Sequence, residues 1–189
     1  MDRYVYEDLY REMEAALDEG DPDVSVLSNA AAVLYHGLER INWAGFYLRD
    51  EEALWLGPFQ GKPACVRIAL GKGVCGTAAA EKRTVLVEDV HRFAGHIACD
   101  AASRSEIVVP LYREGEVIAV LDIDSPEEGR FGREDQEGLE RIAGLIQSAL
   151  ALARPQNPAA PGGSLGGIFG PGGFEPGGAE SEAGRRETR

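Results

Sequence analysis

The chain has 189 residues, of which 44% are hydrophobic and 27% are charged, a balance typical of a soluble protein with one globular core. Lys and Arg number 19 against 32 Asp and Glu, and the resulting formal net charge of −13 disfavours binding to nucleic acid or to an anionic membrane surface. No apolar run approaches the roughly 20 residues that cross a bilayer, and the N-terminal segment lacks the apolar core of a targeting signal. We therefore expect a cytoplasmic protein whose three cysteines are thiols unless turnover pairs them.

Residues 154–189 differ sharply in composition from the rest of the chain. This segment contains ten glycines and five prolines and has no sustained apolar period, so it cannot offset the entropy lost on ordering. Its four Arg and four Glu cancel, which leaves the whole net charge on residues 1–153. We expect one folded domain over 1–153, followed by a disordered Gly/Pro-rich tail.

The predicted elements of the domain begin with two helices. The second helix starts with Asp21 as the cap and Pro22 in the first turn. Segments 41–48, 54–59 and 65–70 follow as strands separated by turn signals, which indicates an antiparallel meander. The buried face of the second helix is predicted to consist of Leu27, Ala31, Leu34 and Leu38.

The second half of the domain is predicted to contain a short helix, three strands and a closing helix. A glycine-rich turn leads into the short helix, a long loop at 91–105 precedes the last two strands, and the turn REGE joins those strands as a hairpin. This order of helices and strands is that of an α+β fold. The segments are 71–82 for the short helix, 84–90, 105–112 and 116–124 for the strands, and 134–153 for the closing helix.

Two large aromatic residues flank a glycine in the first predicted strand. The alternation of side chains along a strand places Ile41, Trp43, Gly45 and Tyr47 on one face. Since Gly45 has no side chain, this pattern predicts a slot between aromatic walls. The alternative interpretation is that Trp43 and Tyr47 are ordinary core residues and that Gly45 marks a bulge.

Two carboxylates lie near the end of the last predicted strand. Alternation places Asp122 and Asp124 on one face, about 7 Å apart along the strand. A hairpin centred on the turn REGE brings Glu106 beside position 123, so that three acids share one patch. If the patch is partly buried, the acids repel one another and one of them holds its proton more tightly. We expect a site for a cation or an amine, the alternative being a solvated strand end.

The cysteine spacing does not match a structural zinc motif. Cys65, Cys75 and Cys99 are separated by ten and 24 positions, and no CxxC pair occurs. A mixed site that includes His91 and His96 stays open. A Ser/His/Asp triad also stays open, although the chain has no nucleophile elbow, and its glycine-rich turn has neither the P-loop nor the dinucleotide spacing.

The three cysteines occupy different predicted environments. Cys99 lies in a polar loop where His96 and Arg104 favour a thiolate and Asp100 opposes one. Cys75 lies in the first turn of the short helix, where backbone N–H groups are expected to lower the thiol pKa. Cys65 opens a strand and is the most ordinary of the three.

Five strings carry a resemblance to a known family. They are NWAGFYL, GKGVCGTAA, EDVHRFAGHIACDAASRSEIVVPL, GEVIAVLDIDS and FGREDQEGLERI. Together they resemble the GAF-domain enzymes called free methionine-(R)-sulfoxide reductases, over about residues 20–150. The resemblance implies a GAF fold, with a central antiparallel sheet flanked by N- and C-terminal helices. It also implies reduction of free L-methionine (R)-S-oxide to L-methionine.

The same resemblance implies roles for the three cysteines. Cys99 is implied to be the catalytic cysteine, Cys65 the main resolving cysteine and Cys75 an alternative partner. In this reaction the nucleophile becomes a sulfenic acid, condenses to an intramolecular disulfide and is recycled by thioredoxin. No metal and no organic cofactor is implied. Members of this family often pair, which is consistent with a homodimer.

The resemblance also assigns a substrate pocket. Trp43 and Tyr47 match the aromatic walls around the methyl-sulfoxide end of the substrate. The acids Glu106, Asp122 and Asp124 match the polar part of the pocket, where their charge holds the substrate ammonium. Because the oxygen of a sulfoxide leaves only after protonation, Glu106 and Asp124 are the expected proton donors.

Two functions of other classes remain as alternatives. A GAF module that only senses a small ligand would keep the aromatic slot but would have no need for three placed cysteines. A GAF domain that serves as an interaction or dimerisation unit would leave its acids solvated, and its acids would play no part in turnover.

Overall fold

The computed structural model describes residues 3–18, 20–93, 95 and 101–150. Helical segments enclose a six-stranded sheet, in the order predicted from the sequence. The helices are α1 (Arg3–Ala16), α2 (Asp23–Gly37), α3 (Gly73–Glu81) and α4 (Arg133–Ala149). The strands are β1 (Trp43–Arg49), β2 (Ala53–Gly61), β3 (Arg67–Ala69), β4 (Val85–Val87), β5 (Ser105–Arg113) and β6 (Glu116–Ser125).

The strands form one antiparallel sheet in the order β3-β2-β1-β6-β5-β4. The predicted meander of β1, β2 and β3 and the predicted β5–β6 hairpin are both confirmed. The hairpin turn consists of Glu114 and Gly115, both with positive φ, as a two-residue turn between twisted strands requires. The chain has the α+β architecture expected from the order of its elements.

The alternation of residues in β1 divides the interior into two cores. Ala44, Phe46 and Leu48 pack on the side of the sheet covered by α1, α2 and α4. Trp43 and Tyr47 pack on the other side, which α3 covers. The predicted face of α2 is also confirmed, since all four of its members are buried in the first core. The second core carries the candidate functional residues.

Several predicted boundaries differ from the observed ones. Helix α2 begins at Asp23 with Pro22 as its N-cap, so Asp21 is not the cap. Ile41 precedes β1 and packs against the first core, away from Trp43 and Tyr47, because strand alternation does not extend to it. The predicted loop after β4 begins with a short 3-10 helix at Val90–Arg92.

A buried ion pair lies at the start of α4, and a hydrogen bond from Tyr6 joins it to α1. Arg130 and Asp135 form it with an Nη1–Oδ1 distance of 3.0 Å, and both side chains are almost fully buried. Tyr6 donates a hydrogen bond to the same Asp135 oxygen at 2.7 Å, and the Gly132 N–H donates to the other oxygen at 2.8 Å. These bonds satisfy a buried charge and fix the N-terminus of α4.

The predicted tail lies outside the described residues, so its disorder remains a prediction. Within the part of the chain that the structure describes, no helix combines the length and the apolar character needed to span a membrane.

Candidate active site

The acidic patch is assembled by the register of β5 and β6. Glu106 lies directly opposite Asp124, and Val108 lies opposite Asp122. The sequence predicted that position 123 lies beside Glu106. The observed partner of Glu106 is one residue further along the strand, because the register shifts between Leu111 and Tyr112. Since directly paired residues of antiparallel strands share a face, the shift places Glu106 on the same face as Asp122 and Asp124.

Helix α3 brings Cys75 onto this patch. Gly76, within the helix, lets α3 pack closely on the end of β3, since a Cβ there would lie 2.4 Å from the carbonyl oxygen of Ala69. Cys75 lies in the first turn, and its Sγ donates a hydrogen bond to Glu106 Oε1 at 3.8 Å. The turn that the sequence singled out therefore delivers a thiol to the acids.

Two acids of the patch, Glu106 and Asp122, have a raised pKa and so hold protons more tightly than ordinary carboxyl groups. Burial, followed by the charges of Asp122 and Asp124, raises the pKa of Glu106 well above its usual value. Burial also raises the pKa of Asp122 to about 6. Both residues are only 6% exposed. The predicted tightly held proton is therefore present, on the Glu106–Asp122 pair.

The expectation for the Cys75 thiol was wrong. Burial, followed by the charges of Asp122 and Glu106, raises the pKa of Cys75 well above its usual value. The favourable effect of a helix N-terminus is modest and short-ranged, whereas a fully buried thiolate between carboxylates is strongly disfavoured. Cys75 is therefore held as a neutral thiol.

One carboxylate oxygen of the patch has no hydrogen-bond partner among the described residues. Asp122 Oδ1 is buried and makes no such bond. A buried unpaired acceptor is costly, and in native proteins it commonly marks a place where a ligand binds. Asp122 can therefore accept a hydrogen bond from a bound group.

The aromatic residues lie as predicted on the face of the acids, but the slot at Gly45 is filled. The rings of Trp43 and Tyr47 are nearly parallel, with centroids 6.0 Å apart. A Cβ at Gly45 would lie 2.6 Å from the Trp43 ring and 2.3 Å from Phe59 Cβ. The strand register also shifts between Gly45 and Tyr47, as the bulge interpretation expected. The missing side chain at Gly45 thus makes room for Trp43 and Phe59.

A small cavity opens beside the aromatic residues and the acids. Its volume is about 10 Å³, the space of roughly one water molecule. The indole N–H of Trp43 donates to the Lys62 carbonyl at 3.1 Å, which ties one wall to β1. The sequence did not predict that residues 62–64 line the site, although the turn signal QGKP includes the first two of them. The lining residues are Trp43, Tyr47, Lys62, Pro63, Ala64, Asp122 and Asp124.

The structure describes two of the three cysteines. Cys65 is half-buried, precedes β3 by two residues and is disulfide-bonded, whereas Cys75 is a buried free thiol. Cys99 and His96 lie outside the described residues, and His91 is exposed. Among the described residues, one group of side chains has the ligand atoms for a metal close together, namely Cys75, Glu106 and Asp122.

Comparison with known proteins identifies the fold. The family model described as "GAF domain" matches residues 25–151. The chain is 52% identical over 146 residues to the free methionine-R-sulfoxide reductase of Escherichia coli, a match that covers 77% of this chain and 88% of that protein.

Two solved structures with bound substrate are also similar. The substrate complex of the Staphylococcus aureus protein fRMsr is 50% identical with a TM-score of 0.74, over 77% of this chain and 95% of that one. The free methionine-R-sulfoxide reductase of Neisseria meningitidis, also with its substrate, is 40% identical with a TM-score of 0.75. That match covers 80% of this chain and 92% of the Neisseria chain.

Proposed function

The chain belongs to the GAF-domain family and, within it, to the free methionine-R-sulfoxide reductases, and we propose that it reduces free L-methionine (R)-S-oxide to L-methionine. The observation that carries this proposal is the buried pair of Glu106 and Asp122. Its retained proton lies beside aromatic walls and an unpaired acceptor. A sulfoxide reductase needs such an acid, because the sulfoxide oxygen must be protonated before the S–O bond breaks.

The pocket suits the two ends of a free amino acid. Asp122 and Asp124 line the cavity and offer acceptors to the substrate ammonium, while Trp43 and Tyr47 contact the methyl-sulfoxide end. The cavity holds about one water molecule, so the substrate has to displace part of its wall. Residues 62–64 are the natural part to move, because they lie outside the sheet and are mostly exposed.

The chemical step transfers the sulfoxide oxygen to a cysteine. The Cys99 thiolate attacks the sulfur of the substrate, and Glu106 supplies the proton that the S–O oxygen needs. Asp124, opposite Glu106, is the second acid placed to polarise that bond. The sulfoxide sulfur gains two electrons and leaves as methionine, and Cys99, oxidised by two electrons, becomes a sulfenic acid.

The cycle closes through a disulfide. The thiol of Cys65 condenses with the sulfenic acid and releases water, and thioredoxin reduces the resulting disulfide by thiol exchange. The disulfide-bonded state of Cys65 and the neutral, buried thiol of Cys75 support Cys65 as the main resolving residue and Cys75 as the alternative. This scheme needs no metal or organic cofactor. Its dependence on a thiol reductant fits a cytoplasmic location.

Methionine release from the separated epimers of free methionine sulfoxide tests the proposal. The assay contains a thioredoxin regenerating system, with Cys99→Ser as the matched control. We expect turnover of the R epimer alone, abolished in the control. If neither epimer is reduced but the R epimer still binds, the protein is a ligand sensor and not a reductase. Full activity in Cys99→Ser would remove the role given to that cysteine.

A further inference from the structure

Cys75, Glu106 and Asp122 form a cluster with the chemistry of a metal site. The Sγ of Cys75 and one carboxylate oxygen of each acid lie within 4.8 Å of one another. The three residues come from α3, β5 and β6, so regular elements hold each of them in place. No local motif marks this cluster in the sequence, because its members are separated by 31 and 16 positions.

The distances are close to those of a zinc site. Zinc binds thiolate sulfur at about 2.3 Å and carboxylate oxygen at about 2.0–2.2 Å, which places neighbouring ligands of a tetrahedral site about 3.5 Å apart. The observed distance from Cys75 Sγ to Glu106 Oε1 is 3.8 Å. The ligand atoms of all three residues lie within 4.8 Å of one another, so they would have to approach each other by about 1 Å or less to surround one ion. A mixed set of sulfur and oxygen ligands suits zinc, which is borderline-soft.

A second and independent observation points to a missing ligand. Asp122 is 6% exposed, and its Oδ1 is buried without a hydrogen-bond partner among the described residues. Asp122 also lines the small cavity, so this side of the cluster is the natural route for an entering group.

The charges around the cluster favour a cation. Asp124 lies opposite Glu106 and adds a further carboxylate. Three deprotonated ligands and one Zn²⁺ leave a single negative charge, which the N-terminus of α3 stabilises.

We propose that the thiol form of the protein binds one Zn²⁺ through Cys75, Glu106 and Asp122, and that this ion blocks the substrate site. Binding displaces the protons of the thiol and of the carboxylic acids into solvent. The ion occupies the carboxylates that the substrate ammonium and the sulfoxide oxygen need. The binding itself is independent of the proposed reductase, whereas the inhibition rests on it.

Cobalt is the probe for the binding step. The full chain is reduced, treated with a chelator, desalted without oxygen and titrated with Co²⁺. We expect one equivalent to produce a thiolate-to-cobalt charge-transfer band and the intense visible bands of a four-coordinate ion. Zn²⁺ should abolish these bands, since it binds such ligands more tightly than Co²⁺. Absence of the bands at one equivalent would overturn the proposal.

Variants locate the site independently of activity. Cys75→Ser and Cys75→Ala should both lose the charge-transfer band, and Cys65→Ser should keep it. Asp122→Asn should weaken Co²⁺ binding by at least about tenfold, as expected for loss of a ligand, and the exposed control Asp8→Asn should leave it unchanged. Circular dichroism establishes that each variant is folded. A band retained in both folded Cys75 variants would place the metal elsewhere and overturn the assignment.

The inhibition is measured separately. Methionine release from the R epimer is followed at several fixed Zn²⁺ concentrations, with a single-turnover assay so that thioredoxin is absent. We expect Zn²⁺ to raise the apparent substrate constant and leave the limiting rate unchanged. Tight Co²⁺ binding combined with undiminished methionine release would overturn the blocking role alone. An enzyme inactive without zinc would instead contradict both the blocking role and the metal-free catalytic scheme, and would leave the cobalt result standing.

Discussion

Glu106 lies directly opposite Asp124 across the β5–β6 pair, on the face of the sheet that α3 covers. This pairing depends on the register shift between Leu111 and Tyr112. Without the shift Glu106 would lie opposite Ile123, which belongs to the first core. One irregularity in the hairpin therefore decides whether the acids form one site or are divided between the two faces.

Replacement of Glu106 by Gln should abolish most of the chemical step. Gln keeps the shape but cannot deliver a proton, so we expect the limiting rate of methionine release to fall by about a hundredfold or more. Single-turnover measurements at saturating substrate check this. The matched control Glu14→Gln, on the exposed face of α1, should keep the wild-type rate. An unchanged rate in Glu106→Gln would show that another group supplies the proton.

Replacement of Asp122 by Asn should move the pH profile. The negative charge of Asp122 helps to raise the pKa of Glu106, so its neutralisation lowers that pKa. An acid with a lower pKa loses its proton at lower pH, and the decline of the limiting rate on the alkaline side should begin earlier. The profile is measured with chelator present and with Asp8→Asn as the control. If the decline begins at the same pH as in the wild type, or at a higher pH, the two acids are not coupled as described.

A pair of glycine substitutions tests the packing of the aromatic wall. Gly45→Ala should destabilise the protein by about 1–3 kcal/mol, because its Cβ would overlap Trp43 and Phe59. Gly144→Ala is the matched control, since its Cβ meets no atom within 4 Å and lies on an exposed part of α4. Alanine there should stabilise the helix by up to about 1 kcal/mol. Urea unfolding measures both changes, and equal effects would contradict the packing described.

Cys65→Ser should separate the chemical step from the recycling step. In the proposed scheme the first turnover uses only Cys99, so about one equivalent of methionine should still be released. Turnover with thioredoxin should then be slower, because only Cys75 remains to resolve the sulfenic acid. A dimedone adduct on Cys99, detected by mass spectrometry, measures the sulfenic acid that accumulates. If the Cys65→Ser variant turns over at the wild-type rate and forms no adduct, Cys75 is the main resolving cysteine.

Asp135→Asn should remove a pH-dependent part of the stability. Burial alone would raise the pKa of Asp135, but hydrogen bonds from Gly132, Tyr6 and Arg130 lower it overall. The contribution of the carboxylate is therefore complete above the unfolded value of about 3.9 and is lost as the pH falls through the folded pKa.

Denaturant unfolding across a range of pH measures this contribution. Near neutral pH the Asn variant should be about 3 kcal/mol less stable than the wild type, because it removes one member of the buried ion pair that Arg130 forms with Asp135. The difference should shrink in acid. A constant difference at every pH would mean that packing, and not the carboxylate charge, accounts for it.

The sequence alone was sufficient to predict the helices and strands and, for most of them, which side chains share a face. Alternation placed Trp43 and Tyr47 on one face of β1 and Asp122 and Asp124 on one face of β6, and the glycine-rich turn predicted helix α3. These features are local, since side-chain direction follows directly from the period of a helix or a strand. The short strings shared with a known family predicted the activity and are the source of the roles proposed for the cysteines.

Features that depend on how distant segments meet were not predictable in this way. The register of Glu106, the filling of the space at Gly45 by Phe59, and the raised pKa of Cys75 each require neighbours that are distant in sequence. Burial acts on a thiol through everything packed around it, and a bulge arises from the fit of whole strands. Periodicity thus determined which side chains face the site, whereas tertiary packing determined their partners and their protons.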